Sequence, residues 1–123
     1  MKEEFEIAIN ARKFAYDPYT NYKVGCVLYT KSGKYYTGCN VANNGIQSIC
    51  AERVAFVKAI SEGEREFDHI VVVGGPKDGE LEEGLPCGYC RQFMSEFVDK
   101  DFKIYTEKAE YTIEDLLPCS FKI

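Results

Sequence analysis

The segments Cys50-Ala51-Glu52 and Pro86-Cys87-Gly88-Tyr89-Cys90 gather the residues best suited to chemistry. Thiolates are soft ligands that suit zinc. A structural zinc closes with four protein ligands, whereas a catalytic zinc keeps one position open for water. The two segments hold three cysteines, Cys50, Cys87 and Cys90, which fits the open kind. Such a metal lowers the pKa of a bound water and provides a nucleophile near neutral pH. Glu52 follows Cys50 by two residues, close enough to stand beside the metal without ligating it, and is the candidate proton carrier. Three thiolates leave a divalent site formally negative, and Arg53 is the candidate compensating cation, its fork able to donate to ligand sulfurs. A lone C-x-x-C also fits a redox pair or half of a zinc ribbon. Glu52 alone also fits a solvated acid at a helix start.

These residues need elements that bring two distant segments together. Lys2 to Ala15 reads as a helix, ended by Pro18, which disfavours helical backbone at the residue before it. Lys23 to Tyr29 and Tyr35 to Cys39 read as strands of a hairpin around Ser32-Gly33. Asn43-Asn44-Gly45 breaks the pattern, and Ile49 to Ile60 reads as a helix that is apolar nearly all round. Such a helix is covered on several sides, by a neighbouring subunit among others. His69 to Val73 is a continuous apolar run, the pattern of a strand covered on both faces. Gly88 to Val98 reads as a helix with Tyr89, Phe93 and Phe97 along one stripe. Lys103 to Tyr105 reads as a short strand, and Thr112 caps a last helix through Leu117. The order α-β-β-α-β-α-β-α implies a mixed sheet with helices on both faces. Both cysteine segments then fall at helix N-termini, where free N–H groups and the helix dipole favour thiolates.

Composition narrows the partners. The chain of 123 residues suits one domain, 1–123, with one core. The net charge of −5, with Lys and Glu interspersed, offers no basic stripe for a phosphate backbone, so no nucleic acid partner is expected. No apolar run approaches the roughly 20 residues of a membrane helix, and no membrane partner is expected. Met1-Lys2-Glu3-Glu4 lacks the apolar stretch of a secretory signal, which points to the cytoplasm. Reducing compartments keep thiols free. Cys26, Cys39 and Cys119 are accordingly read as small buried residues or plain thiols.

Across nearly its whole length the sequence resembles the cytidine deaminases of the small, three-cysteine, homotetrameric kind. The resemblance rests on Cys50-Ala51-Glu52-Arg53 and Pro86-Cys87-Gly88-Tyr89-Cys90-Arg91-Gln92. It also rests on Tyr19-Thr20-Asn21-Tyr22-Lys23-Val24-Gly25, Asn40-Val41-Ala42-Asn43 and Leu116-Leu117-Pro118-Cys119-Ser120-Phe121. It implies a three-layer α-β-α fold around a mixed five-stranded sheet, one zinc per subunit, and pyrimidine salvage. The implied reaction is hydrolytic deamination of a cytosine nucleoside by a zinc-activated hydroxide. In nucleobase deaminases of this chemistry a glutamate that is not a ligand moves the proton, and the resemblance gives that role to Glu52. It further implies that Tyr22 packs on the pyrimidine, Asn40 bonds the ribose and the N–H of Ala51 holds the base carbonyl. Phe121 would reach a neighbouring subunit's site.

Two departures bear on the substrate. The ribose motif of the family usually carries Glu where this chain has Ala42, and the segment from Asn40 to Cys50 is about one residue short. They keep a modified cytosine nucleoside such as blasticidin S as an alternative substrate. A non-catalytic, zinc-stabilised nucleoside-binding protein is the alternative of another class.

Overall fold

The computed structural model describes residues 1–44 and 46–123. Gly45, part of the expected break, lies outside the described residues. The elements are α1 (Lys2–Arg12), β1 (Tyr22–Thr30), β2 (Tyr35–Cys39), α2 (Ala51–Ser61) and β3 (Phe67–Pro76), followed by α3 (Gly88–Ser95), β4 (Lys103–Tyr105), β5 (Glu110–Thr112) and α4 (Ile113–Leu116). The strands form one sheet in the order β2-β1-β3-β4-β5. β1 pairs antiparallel with β2 and β3, β3 parallel with β4, and β4 antiparallel with β5. The sheet is therefore mixed, as the sequence implies.

The apolar run of β3 has the predicted two-sided burial. Ile70 and Val72 join Phe56, Leu28 and Met94 in one cluster, while Val71 and Val73 join Ala8 and Val27 in another. Alternate residues of a strand point to opposite faces, so α1 covers one face and α2 and α3 cover the other. Three α-β-α layers result. At Gly25 an added Cβ would stand 2.3 Å from the carbonyl oxygen of Ala8 and 2.5 Å from the nitrogen of Arg12. Only glycine lets α1 lie that close to β1.

The differences from the sequence reading fall at element ends. Helix α1 stops at Arg12 rather than Ala15, because Phe14 and Ala15 close tighter turns onto Ala11 and Arg12. That turn delivers Tyr16 to a parallel bridge with Val41. Helix α2 starts at Ala51 rather than Ile49, since Ile49 exchanges backbone hydrogen bonds with Val41. Helix α3 ends at Ser95 rather than Val98, though Phe93 and Phe97 still pack with ring centroids 5.3 Å apart. Strand β5 was not read from the residues. It is three residues long, too short for an alternating pattern to register. Thr112 does cap α4: its hydroxyl accepts from Asp115 N–H at 3.1 Å, and the Asp115 carboxylate accepts from Thr112 N–H at 2.9 Å.

Candidate active site

Helix α2 owes its position to a second close glycine contact. A Cβ at Gly38 on β2 would meet the carbonyl oxygen of Ala51 at 2.2 Å. The same oxygen accepts from the buried Cys26 thiol at 3.3 Å. The first turn of α2 is thus pinned on the β1–β2 hairpin. Cys50 is its N-cap residue, with extended backbone at φ −78° and ψ 157°. Cys87 is the N-cap residue of α3 with nearly the same backbone, φ −68° and ψ 166°. Arg91 braces the entry to α3 by donating to the Pro86 carbonyl at 2.7 Å and to that of Leu116 at 2.9 Å. Two helix N-termini, with their unpaired N–H groups, converge on the sulfur cluster.

The three sulfurs lie within 4.8 Å of one another. Cys50 and Cys87 are 3.8 Å apart, and Cys87 and Cys90 are 3.5 Å apart. Tetrahedral zinc with Zn–S bonds of about 2.3 Å needs sulfurs about 3.8 Å apart. The donor set and its spacing fit that metal. Hydrogen bonds from Cys90, Arg53 and Cys87 pull the Cys50 thiol down to about 5. The Cys90 thiol is pushed far up, first by its hydrogen bond to Cys50 and then by burial. A bound cation displaces thiol protons and would hold these sulfurs as thiolates.

Glu52 is 3% exposed and lines the cavity beside Cys50. Burial raises its carboxyl to about 7; the nearby Cys50 charge adds to the shift and Arg53 opposes it. Arg53 donates toward the Cys50 sulfur at 3.9 Å and the Ser48 carbonyl at 3.4 Å. Its guanidinium lies 4.2 Å from the centre of the Tyr89 ring. Its Nε is buried without a partner among the described residues. Burial works against its charge, but the bonds to Cys50 and Cys90 outweigh burial and raise its pKa.

The cavity above the sulfurs measures about 340 Å³, in the range of small-molecule sites. Tyr22, Asn40, Ala51 and Glu52 line it together with Cys50 and Cys87. The Tyr22 hydroxyl donates to Glu82 at 3.2 Å. Asn40 carries a second duty that the sequence does not reveal. Its Oδ1 accepts from Val24 N–H at 2.8 Å, and its Nδ2 donates to the Tyr22 carbonyl at 3.0 Å. Phe121 is not among the lining residues of this cavity; it is 70% exposed, and its carbonyl accepts from Gln92 at 3.1 Å. The sequence reading missed Asp17, Tyr19, Thr20, Ser48 and Glu83, which also line the cavity. They come from loops, where no periodic signal marks them.

Comparison with known proteins agrees with this geometry. The family model described as the cytidine and deoxycytidylate deaminase zinc-binding region matches residues 1–106. A probable cytidine deaminase of Dictyostelium discoideum is 44% identical over 114 residues, covering 89% of this chain and 74% of that protein. The crystal structure of cytidine deaminase from Burkholderia pseudomallei superposes with a TM-score of 0.88 at 38% identity, covering 98% of both chains. A blasticidin-S deaminase of Bacillus cereus is a more distant relative, 29% identical over 97% of this chain and 90% of that protein. With its sheet, its three-sulfur cluster and its matched motifs, the chain belongs to the cytidine and deoxycytidylate deaminase family, whose members are hydrolases acting on C–N bonds.

Proposed function

We propose that residues 1–123 form one catalytic unit that hydrolyses cytidine or 2′-deoxycytidine to the uracil nucleoside and ammonia. The observation that carries this reading is a buried Glu52 beside three clustered sulfurs at the wall of a nucleoside-sized cavity. Cys50, Cys87 and Cys90 would hold one zinc per subunit. Bound there, zinc supplies an acidified water at neutral pH. Glu52 takes a proton from the attacking water, gives it to the ring nitrogen, and passes the second to the departing amine. Water supplies the new carbonyl oxygen, and ammonia carries away the ring's exocyclic nitrogen. The N–H of Ala51, a first-turn donor of α2, holds the base carbonyl. The Tyr22 ring packs on the pyrimidine, and Asn40 contributes to the ribose side with the hydrogen-bonding capacity its strand contacts leave over. Arg53 offsets the charge of the sulfurs.

A homotetramer in the cytoplasm, serving pyrimidine salvage, accords with the exposed Phe121, which would reach a neighbouring site. Val57, 42% exposed on the apolar helix α2, would be covered in the same assembly. The test is ammonia release by zinc-loaded protein from cytidine, 2′-deoxycytidine, cytosine and blasticidin S. Release from the cytosine nucleosides supports the reading; zinc-loaded protein that releases none overturns it. Ala42 at the cavity wall is the specific reason to keep blasticidin S in the panel. A higher kcat/KM for that compound than for cytidine would transfer the assignment to a modified nucleoside.

A further inference from the structure

The cavity that Cys50 and Cys87 border is also lined by a carboxylate that the ribose motif does not supply. Tyr16 N–H donates to the Asn40 carbonyl at 2.9 Å, and Ala42 N–H donates to the Tyr16 carbonyl at 2.7 Å. This parallel bridge pairs Tyr16 with Val41. The next residues on the two segments, Asp17 and Ala42, are therefore neighbours in register, and both line the cavity. At position 42 the motif segment offers only a methyl group. One step across the bridge stands an acid.

The Asp17 carboxylate is already oriented. Its Oδ1 accepts from the N–H groups of Tyr19 at 3.1 Å and Thr20 at 3.0 Å. Its Oδ2 accepts from the Thr20 hydroxyl. A carboxylate offers about four acceptor sites. Among the described residues three are used, and one on Oδ2 remains. The Thr20 bonds hold the carboxyl below its ordinary range, so it is ionised at neutral pH. The Asn43 side-chain amide donates to Gln47, and the Asn44 side-chain Oδ1 accepts from the Tyr19 hydroxyl. Glu83 also lines the cavity, but its Oε2 is committed to Thr106 and Tyr111 and it lies on neither segment of the Tyr16–Val41 bridge.

We propose that Asp17 is the sugar-recognising carboxylate of this protein, accepting a hydrogen bond from a ribose hydroxyl at the wall where Ala42 offers none. The proposal rests on the nucleoside reading of the cavity. It makes Asp17 a specificity residue, contributed from the α1–β1 loop rather than from the Asn40–Asn43 segment. A hydroxyl that meets a fixed carboxylate is selected over the deoxy sugar, which leaves that carboxylate unpaired.

Calorimetric binding to zinc-loaded Glu52→Gln protein tests this without consuming the nucleoside. The ligands are cytidine, 2′-deoxycytidine, 3′-deoxycytidine and cytosine. A charged hydrogen bond of about 1.5–3 kcal/mol corresponds to roughly ten- to hundred-fold in affinity. Asp17→Asn keeps the acceptor for the turn N–H groups and should weaken cytidine binding by that factor. The deoxy analogue that lacks the bonded hydroxyl should bind the native loop as weakly and ignore the substitution, as should cytosine. Equal loss for every ligand would show that Asp17 only shapes its turn and would overturn the proposal; so would no loss at all. Ala42→Glu gives a second, independent reading. Beside Asp17 it places two carboxylates in register and should give no gain, whereas on an Asp17→Ala background it should restore the sugar preference. A tenfold gain from Ala42→Glu alone would mean the wall is vacant and Asp17 does not fill it.

Ammonia release by the unmutated protein separates the two assignments. Sugar-dependent binding without ammonia refutes the deaminase and leaves Asp17 standing. Ammonia release with binding indifferent to Asp17→Asn does the reverse, and no nucleoside binding refutes both.

Discussion

The two ends of the cavity are built by different means. The sulfur end is made from regular elements: Cys50 and Cys87 are N-caps of α2 and α3, and Cys90 lies in the first turn of α3. The end where the sugar would sit is made from loops joined by isolated bridges of Val41 with Tyr16 and with Ile49. Helix starts have a fixed geometry, so spacing along the chain specifies where the sulfurs and Glu52 lie. An isolated bridge is specified by tertiary packing, so nothing in the spacing announces it. Changes at the sulfur end should therefore act on metal content and kcat. Changes at the sugar end should act on KM and on the stability of the start of β1, where Asn40 holds Tyr22 and Val24.

The largest effect tests the sulfur end. Cys90→Ser removes a buried sulfur from the cluster. Zinc content by atomic absorption should fall to near zero and deamination to background. Chelation of the native protein should do the same and lower Tm, because a ligand that binds only the folded state stabilises it. Full activity in metal-free protein would break the comparison at its root.

Glu52→Gln should come next. A positioned acid–base group contributes typically about 10²–10⁴-fold. The loss should fall on kcat, with zinc content and Tm close to the native values, since the amide preserves the shape of a buried side chain. Loss of zinc along with activity would make Glu52 a ligand rather than a proton carrier.

These first two predictions follow from what was legible in the sequence. The C-x-E and C-x-x-C spacings, the helix starts and the two-sided strand β3 all carry local or periodic signals. Even so, the ends of α1 and α3 were overextended, because tight turns at Phe14 and Phe97 keep helix-like composition while leaving the helix. Asp17 and Ser48 were invisible as cavity residues. In sequence an acid before Pro18 reads as a turn former, and only the bridge to Val41 carries it to the wall. For Asn40 the resemblance implies a sugar contact, while the clamp it makes on Tyr22 and Val24 carries no signal in the sequence, because it depends on the strand beside it.

Asn40→Ala sharpens the contrast, because it should do two things at once. It removes partners of the Val24 N–H and the Tyr22 carbonyl. Leaving such partly buried groups unsatisfied costs about 1–3 kcal/mol each. Thermal unfolding should shift down by several degrees, and KM should rise because Tyr22 is no longer fixed. A rise in KM with unchanged Tm would make Asn40 a sugar ligand alone.

The smallest effect concerns Tyr89, where two contributions oppose. Its ring stacks on the Arg53 guanidinium at 4.2 Å while itself 67% exposed. An exposed cation–π contact contributes about 0.5–1 kcal/mol. Arg53 Nε is buried without a hydrogen-bond partner among the described residues, and such a group costs about 1–3 kcal/mol. Tyr89→Ala removes the stack but opens the guanidinium to water, which can satisfy Nε. The two changes oppose: at the low end they nearly cancel, and full hydration of Nε would leave a net gain of up to about 2 kcal/mol, so the unfolding free energy should stay level or rise. Arg53 would meanwhile lose the surface that holds its fork toward Cys50, and zinc should leave faster in a chelator-trapping assay. Tyr89→Phe keeps the ring and should release zinc at the native rate. A large stability loss in Tyr89→Ala with unchanged zinc release would mean the ring serves packing and not the cation beside the sulfurs.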